Sequence, residues 1–152
     1  MANVEKDFEE LLRLFNKHKV HYCIVGAFAV GFHARPRYTK DLDLLVEASE
    51  ENGKKIVSAL GEFGFGNLEI RPEDFTEEGR FIQLGYEPVR VDLTTSIEGV
   101  HFKEIWGNKA SGTLGSEPVY FIGLKELVKN KKAARRKQDL ADLELLEKAK
   151  KQ

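Results

Sequence analysis

An α+β fold, a small mixed β-sheet with helices packed against it, is predicted by three features of the chain. Short apolar runs of strand length, 21–25, 41–46 and 89–93, lie between glycine or proline positions that break them. Apolar residues recur at helical spacing at both ends: Phe8, Leu11, Leu12 and Phe15 near the start, then Leu124, Leu127 and Val128, and Leu140, Leu143, Leu145 and Leu146 near the finish. No internal repeat, low-complexity tract or flexible linker divides the 152 residues, so one domain is expected over 1–152, with a helical C-terminal segment at about 124–150.

The first amphipathic helix is expected to end near Asn16 to Lys19, followed by a strand over His21 to Val25. Gly26 breaks that strand, and Ala27 to His33 forms a short apolar helix. Arg35-Pro36-Arg37 stops it, because the residue before proline avoids the helical region. Asp41 to Val46 is the second strand. Ser49 is the expected N-cap of a helix carrying Ile56, Val57, Leu60 and Phe63, closed by Gly61 or Gly64. Short strands are expected at Leu68 to Ile70, Phe81 to Leu84 and Val89 to Leu93, the last two joined as an antiparallel hairpin by the turn Gly85-Tyr86-Glu87-Pro88. Gly99 to Gly115 reads as irregular, and Val119 to Ile122 as a last short strand.

Composition narrows the function. Hydrophobic content of 41% with 32% charged residues describes a folded chain with a soluble surface. Lys plus Arg (24) nearly balances Asp plus Glu (25), so no global field draws in nucleic acid and any polyanion site must be local. The single cysteine, Cys23, sits in an apolar run as a small core residue and fits a reducing compartment. The longest apolar stretch, Tyr22 to Phe32, is shorter than the ~20 residues a bilayer span needs, and the start has no signal-peptide pattern, so a cytoplasmic protein with no membrane partner is expected.

The chemistry concentrates between Gly26 and Val46. Residues two apart on a strand share a face, so Asp41 and Asp43 project together while Leu42 and Leu44 pack behind them. Paired carboxylates repel, and a divalent cation is the natural compensation. Their hard oxygen donors favour magnesium, with manganese as the alternative. Asp92, on the face of its strand opposite Val91 and Leu93, is the best third carboxylate. The turn at Gly26-Ala27 opens a helix whose free N–H groups can bind phosphate. Rival motifs fail on residues: Gly26-x-x-x-x-Gly31 has Walker-loop spacing, but Phe32-His33 stands where Lys-Ser/Thr is required. An EF-hand would need polar ligands where Leu45 and Val46 stand. His18, His21, His33 and His101 have no metal spacing. Trp106 reads as a packing residue, and the cations from Lys129 to Lys137 as a solvated helix end or a local polyanion patch.

Gly26-Ala27 followed by Arg37-x-Thr39-x-Asp41-x-Asp43 resembles the active-site signature of the nucleotidyltransferase superfamily that includes DNA polymerase beta, in the form of the small bacterial AbiEii/AbiGii-type enzymes. Leu124-x-x-Leu127-Val128-x-x-Lys131-x-Ala133-Ala134-x-Arg136-x-x-Asp139-x-x-Asp142-Leu143 is similar to the C-terminal helical segment of that group. The resemblance implies a nucleotidyltransferase-like sheet and a magnesium-dependent transfer of a nucleoside monophosphate from a nucleoside triphosphate such as ATP to an acceptor hydroxyl, releasing pyrophosphate. It implies that Asp41, Asp43 and Asp92 form the metal-binding catalytic triad, and that Gly26, Ala27, Arg37, Thr39, Lys131 and Arg136 bind the nucleotide. Of Lys131 and Arg136, one would face the phosphates and the other pair with Asp139 or Asp142. The acceptor remains open among a small molecule, a protein and an RNA end. A homodimer or partner protein could complete the acceptor site, and the pattern suggests a toxin-antitoxin or phage-defence component. Ala27 stands where the family usually carries Gly or Ser, which removes a hydroxyl that could reach a phosphate. A catalytically inactive nucleotide- or partner-binding protein of the same fold is therefore the alternative.

Overall fold

A computed structural model describes residues 4–35, 39, 41–66 and 68–150. Helix α1 (Val4–Lys17) leads into β1 (Tyr22–Val25), α2 (Gly26–His33), β2 (Asp41–Val46) and α3 (Glu50–Leu60). A π-type turn (Gly61–Phe65) and a 3₁₀ turn (Pro72–Phe75) connect to β3 (Phe81–Leu84) and β4 (Arg90–Thr94). Then come α4 (Phe102–Gly107), β5 (Ala110–Leu114), β6 (Glu117–Phe121), α5 (Leu124–Ala134) and α6 (Lys137–Lys150).

The strands form one mixed sheet in the order β3-β4-β2-β1-β6-β5. β2 runs parallel to β4 and β1 parallel to β6, while β1–β2, β3–β4 and β5–β6 are antiparallel. Central β1 is buried along its whole length, as its unbroken apolar sequence requires, whereas β2 alternates at its start, with Leu42 and Leu44 fully buried and Asp41 and Asp43 half-buried on the other face. Helix α1 buries Phe8, Leu11, Leu12 and Phe15 in the core, as its spacing predicts. Among the described residues no helix is long and apolar enough to cross a membrane.

The Ser49 cap forms as expected: its hydroxyl accepts the Asn52 N–H at 3.1 Å. The same Asn52 side chain, buried, accepts the His21 N–H at 2.8 Å and donates to the carbonyls of His21 and Glu47 at 3.1 and 3.0 Å, stitching α3 to the adjoining ends of β1 and β2.

Two expectations are corrected. Leu68 to Ile70 is not a strand: leaving the π-type turn, this stretch bonds locally, Leu68 N–H to the Phe65 carbonyl and Ile70 N–H to that of Leu68, on its way into the 3₁₀ turn. Gly99 to Gly115 is more ordered than expected, holding α4 and β5. β5, Ala-Ser-Gly-Thr-Leu, has little intrinsic strand character and exists through its pairing with β6 on the sheet edge.

Gly53 lets the 3₁₀ turn press on α3, since a Cβ there would lie 2.5 Å from the Pro72 carbonyl oxygen. Alanine is the better helix former by about 1 kcal/mol. Gly53→Ala is nonetheless expected to lower stability by about 1–3 kcal/mol through overpacking, read as a fall in denaturation midpoint. A rise would mean that the turn does not pack on α3 as described.

Candidate functional site

β1 ends at Val25, whose Cα partner across the antiparallel pair is Asp43. Gly26 follows with φ +69°, a left-handed conformation that suits glycine, and its missing Cβ leaves the space in which the Asp43 carboxylate sits. One residue thus turns the chain into α2 and lets a carboxylate approach the first turn of that helix. Val25 at the N-cap offers no capping side chain, and no acid lies in the first turn. Beside it, Ala27, Phe28, Gly31, Thr39 and Thr113 contribute to a shallow pocket of about 250 Å³.

β2 and β4 are parallel and in register, Asp41 opposite Arg90 and Asp43 opposite Asp92. All four side chains therefore share one face. Thr39 fixes the start of β2, its hydroxyl accepting the Asp41 N–H at 3.2 Å. Asp92 is buried, and Arg90 grips it with two bonds, Nε to Oδ1 at 3.0 Å and Nη2 to Oδ2 at 3.2 Å. The same Nε lies 3.8 Å from Asp41 Oδ2. Asp41 Oδ1 is buried without a hydrogen-bond partner among the described residues. Burial first, then the charges of Asp92 and Asp41, push the Asp43 carboxyl up to about 7, only partly offset by Arg90.

Crowded carboxylates, one carrying an orphaned buried oxygen, fit a divalent cation bound through oxygen. Among the described residues, however, no three His, Cys, Asp or Glu side chains stand as a ready-made ion cage, and Arg90 already occupies both oxygens of Asp92. Sequence reasoning placed Arg90 in the strand without assigning it a role. Its position two residues before Asp92 puts it on the same face by strand periodicity, and that was the available signal.

Of the expected nucleotide-binding residues, Gly26, Ala27 and Thr39 lie around the start of α2 and β2, and Arg37 falls outside the described residues. Lys131 and Arg136 stand at the α5–α6 corner, where both engage Asp139. Lys131 is 7% exposed, its Nζ 2.9 Å from Asp139 Oδ1 and 3.1 Å from Asp142 Oδ2. Arg136, with 72% of its side chain exposed, donates from Nε and from its backbone N–H to Asp139 Oδ2 at 2.9 and 3.0 Å. Its pKa is raised chiefly by Asp139, with smaller contributions from Glu98 and Asp43. Asn130 Nδ2 donates to the Glu98 carbonyl at 2.9 Å, anchoring α5 to the segment that follows β4.

The remaining residues of interest are structural. His33 donates from Nε2 to the Ile122 carbonyl at 2.6 Å, tying α2 to the end of β6. Trp106 packs between the His21 ring, 4.3 Å away, and the Lys109 ammonium, 3.9 Å from the ring centre, at the end of β1 opposite Gly26. Burial pushes the Cys23 thiol up to about 12, which suits an inert core residue.

No protein-family model matches the sequence, and no curated protein matches it. The likeness to known proteins is in the fold. The chain is similar to ANT(2'')-Ia in complex with adenylyl-2''-tobramycin, with a TM-score of 0.62 at 13% identity over 98% of this chain and 94% of that one. It is similar to the lincosamide antibiotic adenylyltransferase LnuA, lincomycin-bound (0.56, 15%, 94% and 96%), and to the crystal structure of a Thermotoga maritima protein, TM1012 (0.59, 14%, 97% and 94%). At these identities the likeness establishes the nucleotidyltransferase fold, and it does not single out the AbiEii/AbiGii type.

Two pH dependences follow. Folding raises the Asp43 pKa, so ionising this group costs stability progressively as pH climbs from about 4 to about 7. In metal-free buffer Asp43→Asn is expected to melt above wild type, by a margin that widens over that range and is constant beyond it. An unchanged difference between pH 4 and 8 would contradict the burial and crowding of Asp43. For Asp139, burial pushes the carboxyl up, but the hydrogen bonds from Arg136 and Lys131 outweigh it and hold it at about 2. Its stabilisation, on the order of 2 kcal/mol, is present above pH ~4 and lost as pH falls toward 2. Asp139→Asn should therefore lose stability at neutral pH and show a flatter acid limb in its unfolding curve.

Proposed function

We propose that this protein is a magnesium-dependent nucleotidyltransferase, moving a nucleoside monophosphate from a nucleoside triphosphate to an acceptor hydroxyl with release of pyrophosphate. The observation that carries the reading is the convergence of Asp41, Asp43 and Asp92 on one face of adjacent parallel strands, beside the glycine turn that opens α2. Nucleotidyltransferases share this fold; LnuA is a lincosamide antibiotic adenylyltransferase, and ANT(2'')-Ia is an antibiotic-resistance factor seen in complex with adenylyl-2''-tobramycin.

In this reading Asp41, Asp43 and Asp92 hold the cation. A bound divalent ion neutralises the clustered carboxylates and stabilises charge developing on the transferring phosphoryl group. The N–H groups at the start of α2, where Val25 offers no capping side chain, receive triphosphate oxygens, with Ala27 donating through its backbone as serine would. Arg136, exposed and held by Asp139, offers its remaining guanidinium donors to the same phosphates, while Lys131 secures the corner that carries it. Thr39 acts by orienting Asp41. The antibiotic-bound neighbours put a small-molecule hydroxyl first among acceptors to assay, ahead of a protein hydroxyl and an RNA end.

The test is pyrophosphate release with magnesium and each nucleoside triphosphate, for wild type, Asp41→Asn and Asp43→Asn. Wild type should be active and each variant should lose at least ~100-fold, because metal and carboxylates stabilise the transition state as a unit. Near-normal turnover by either variant would remove that aspartate from the site. Ala27, which lacks the usual hydroxyl, favours a second reading as an inactive nucleotide-binding protein. Magnesium-dependent nucleotide binding without any pyrophosphate would select that reading.

A further inference from the structure

Among the described residues, Arg90 is the only basic side chain within salt-bridge distance of Asp41, Asp43 or Asp92. It reaches two of them at once: a bidentate pair with Asp92 and a 3.8 Å approach to Asp41. The strand register makes this position obligatory, since Arg90 lies opposite Asp41 while Asp92, two residues on, lies opposite Asp43. The guanidinium therefore covers both Asp92 oxygens, the donors a metal ion would need. Among the described residues, it leaves Asp41 Oδ1 buried and without a hydrogen-bond partner. A planar fork satisfies one carboxylate well, but it cannot gather oxygens from three carboxylates as a small divalent cation can.

We infer that Arg90 is a stand-in cation: in the metal-free protein its guanidinium occupies Asp92, and a divalent ion entering among the three aspartates must displace it, so Arg90 sets how much metal the site requires. This rests on the metal-dependent reading proposed above. Arg90 is thus a positioning residue that acts through Asp92. It keeps the acidic cluster folded and compensated when metal is scarce, at the cost of competing with metal when it is present.

The experiment is manganese binding, followed by the electron paramagnetic resonance of free Mn²⁺, together with melting temperatures with and without the ion, for wild type, Arg90→Gln and Arg90→Lys. Arg90→Gln should melt below wild type without metal, bind Mn²⁺ about tenfold more tightly, and gain more from the ion on melting. Arg90→Lys, which keeps the charge but loses the fork, should fall between the two and serves if the glutamine variant folds poorly. In wild type, the Arg90 Nε–H resonance should move toward that of a free arginine as Mg²⁺ is added. If all three proteins bind Mn²⁺ equally, or the Nε–H signal is unmoved in the Mg²⁺-loaded protein, the stand-in role is wrong while the metal site stands. If none of them binds the ion, the metal-dependent reading falls with it.

Discussion

Two parallel strands in strict register put negative charge where water cannot fully screen it, and much of the site can be understood as a response to that constraint. Asp43 faces Asp92 across β2 and β4, and Asp41 lies two residues along on the same face. Burial first, and then the neighbouring charges of Asp92 and Asp41, which interact more strongly there than in bulk solvent, raise the pKa of Asp43. Such a cluster is costly for folding alone. It is affordable because the strands behind it are apolar: Leu42, Leu44, Val91 and Leu93 are all buried on the opposite face.

Two arginines serve different carboxylates. Arg90 arrives from within β4 and pairs with Asp92 directly, whereas Arg136, at the α5–α6 corner, is paired with Asp139. That corner is itself held by a buried knot, with Lys131 between Asp139 and Asp142 and Gln138 donating to Asp142 at 2.9 Å. Buried ion pairs of this kind are expensive to form and more expensive to break singly, so they define a geometry more than they add stability. Here the geometry defined is the position of Arg136, and Asn130 sets the corner against the segment leaving β4.

Much of this arrangement was legible in the residues because local rules and tertiary packing agree. Period-two alternation in Asp41-Leu42-Asp43-Leu44 separated a charged face from a core face, Gly26 marked the turn, and Ser49 marked a helix start that its hydroxyl does cap. Where the two disagree, the reading failed. β5 has the composition of a loop and becomes a strand only through β6, and Leu68 to Ile70 has a strand's composition but, among the described residues, no partner strand. The burial of Lys131 and the grip of Arg90 on Asp92 depend on contacts between elements, which spacing along one element does not encode.

The most direct test of the claim that these three aspartates are one cation site is to see where a paramagnetic ion lodges. Mn²⁺ added in small amounts to ¹⁵N-labelled protein should broaden the amide resonances of Gly26, Asp43 and Asp92 and their strand neighbours first, and those of His21 and Trp106, at the other end of β1, last. Broadening centred elsewhere, for example on the groove that Asp7, Glu10 and Glu62 help to line, or no localised broadening at all, would contradict it.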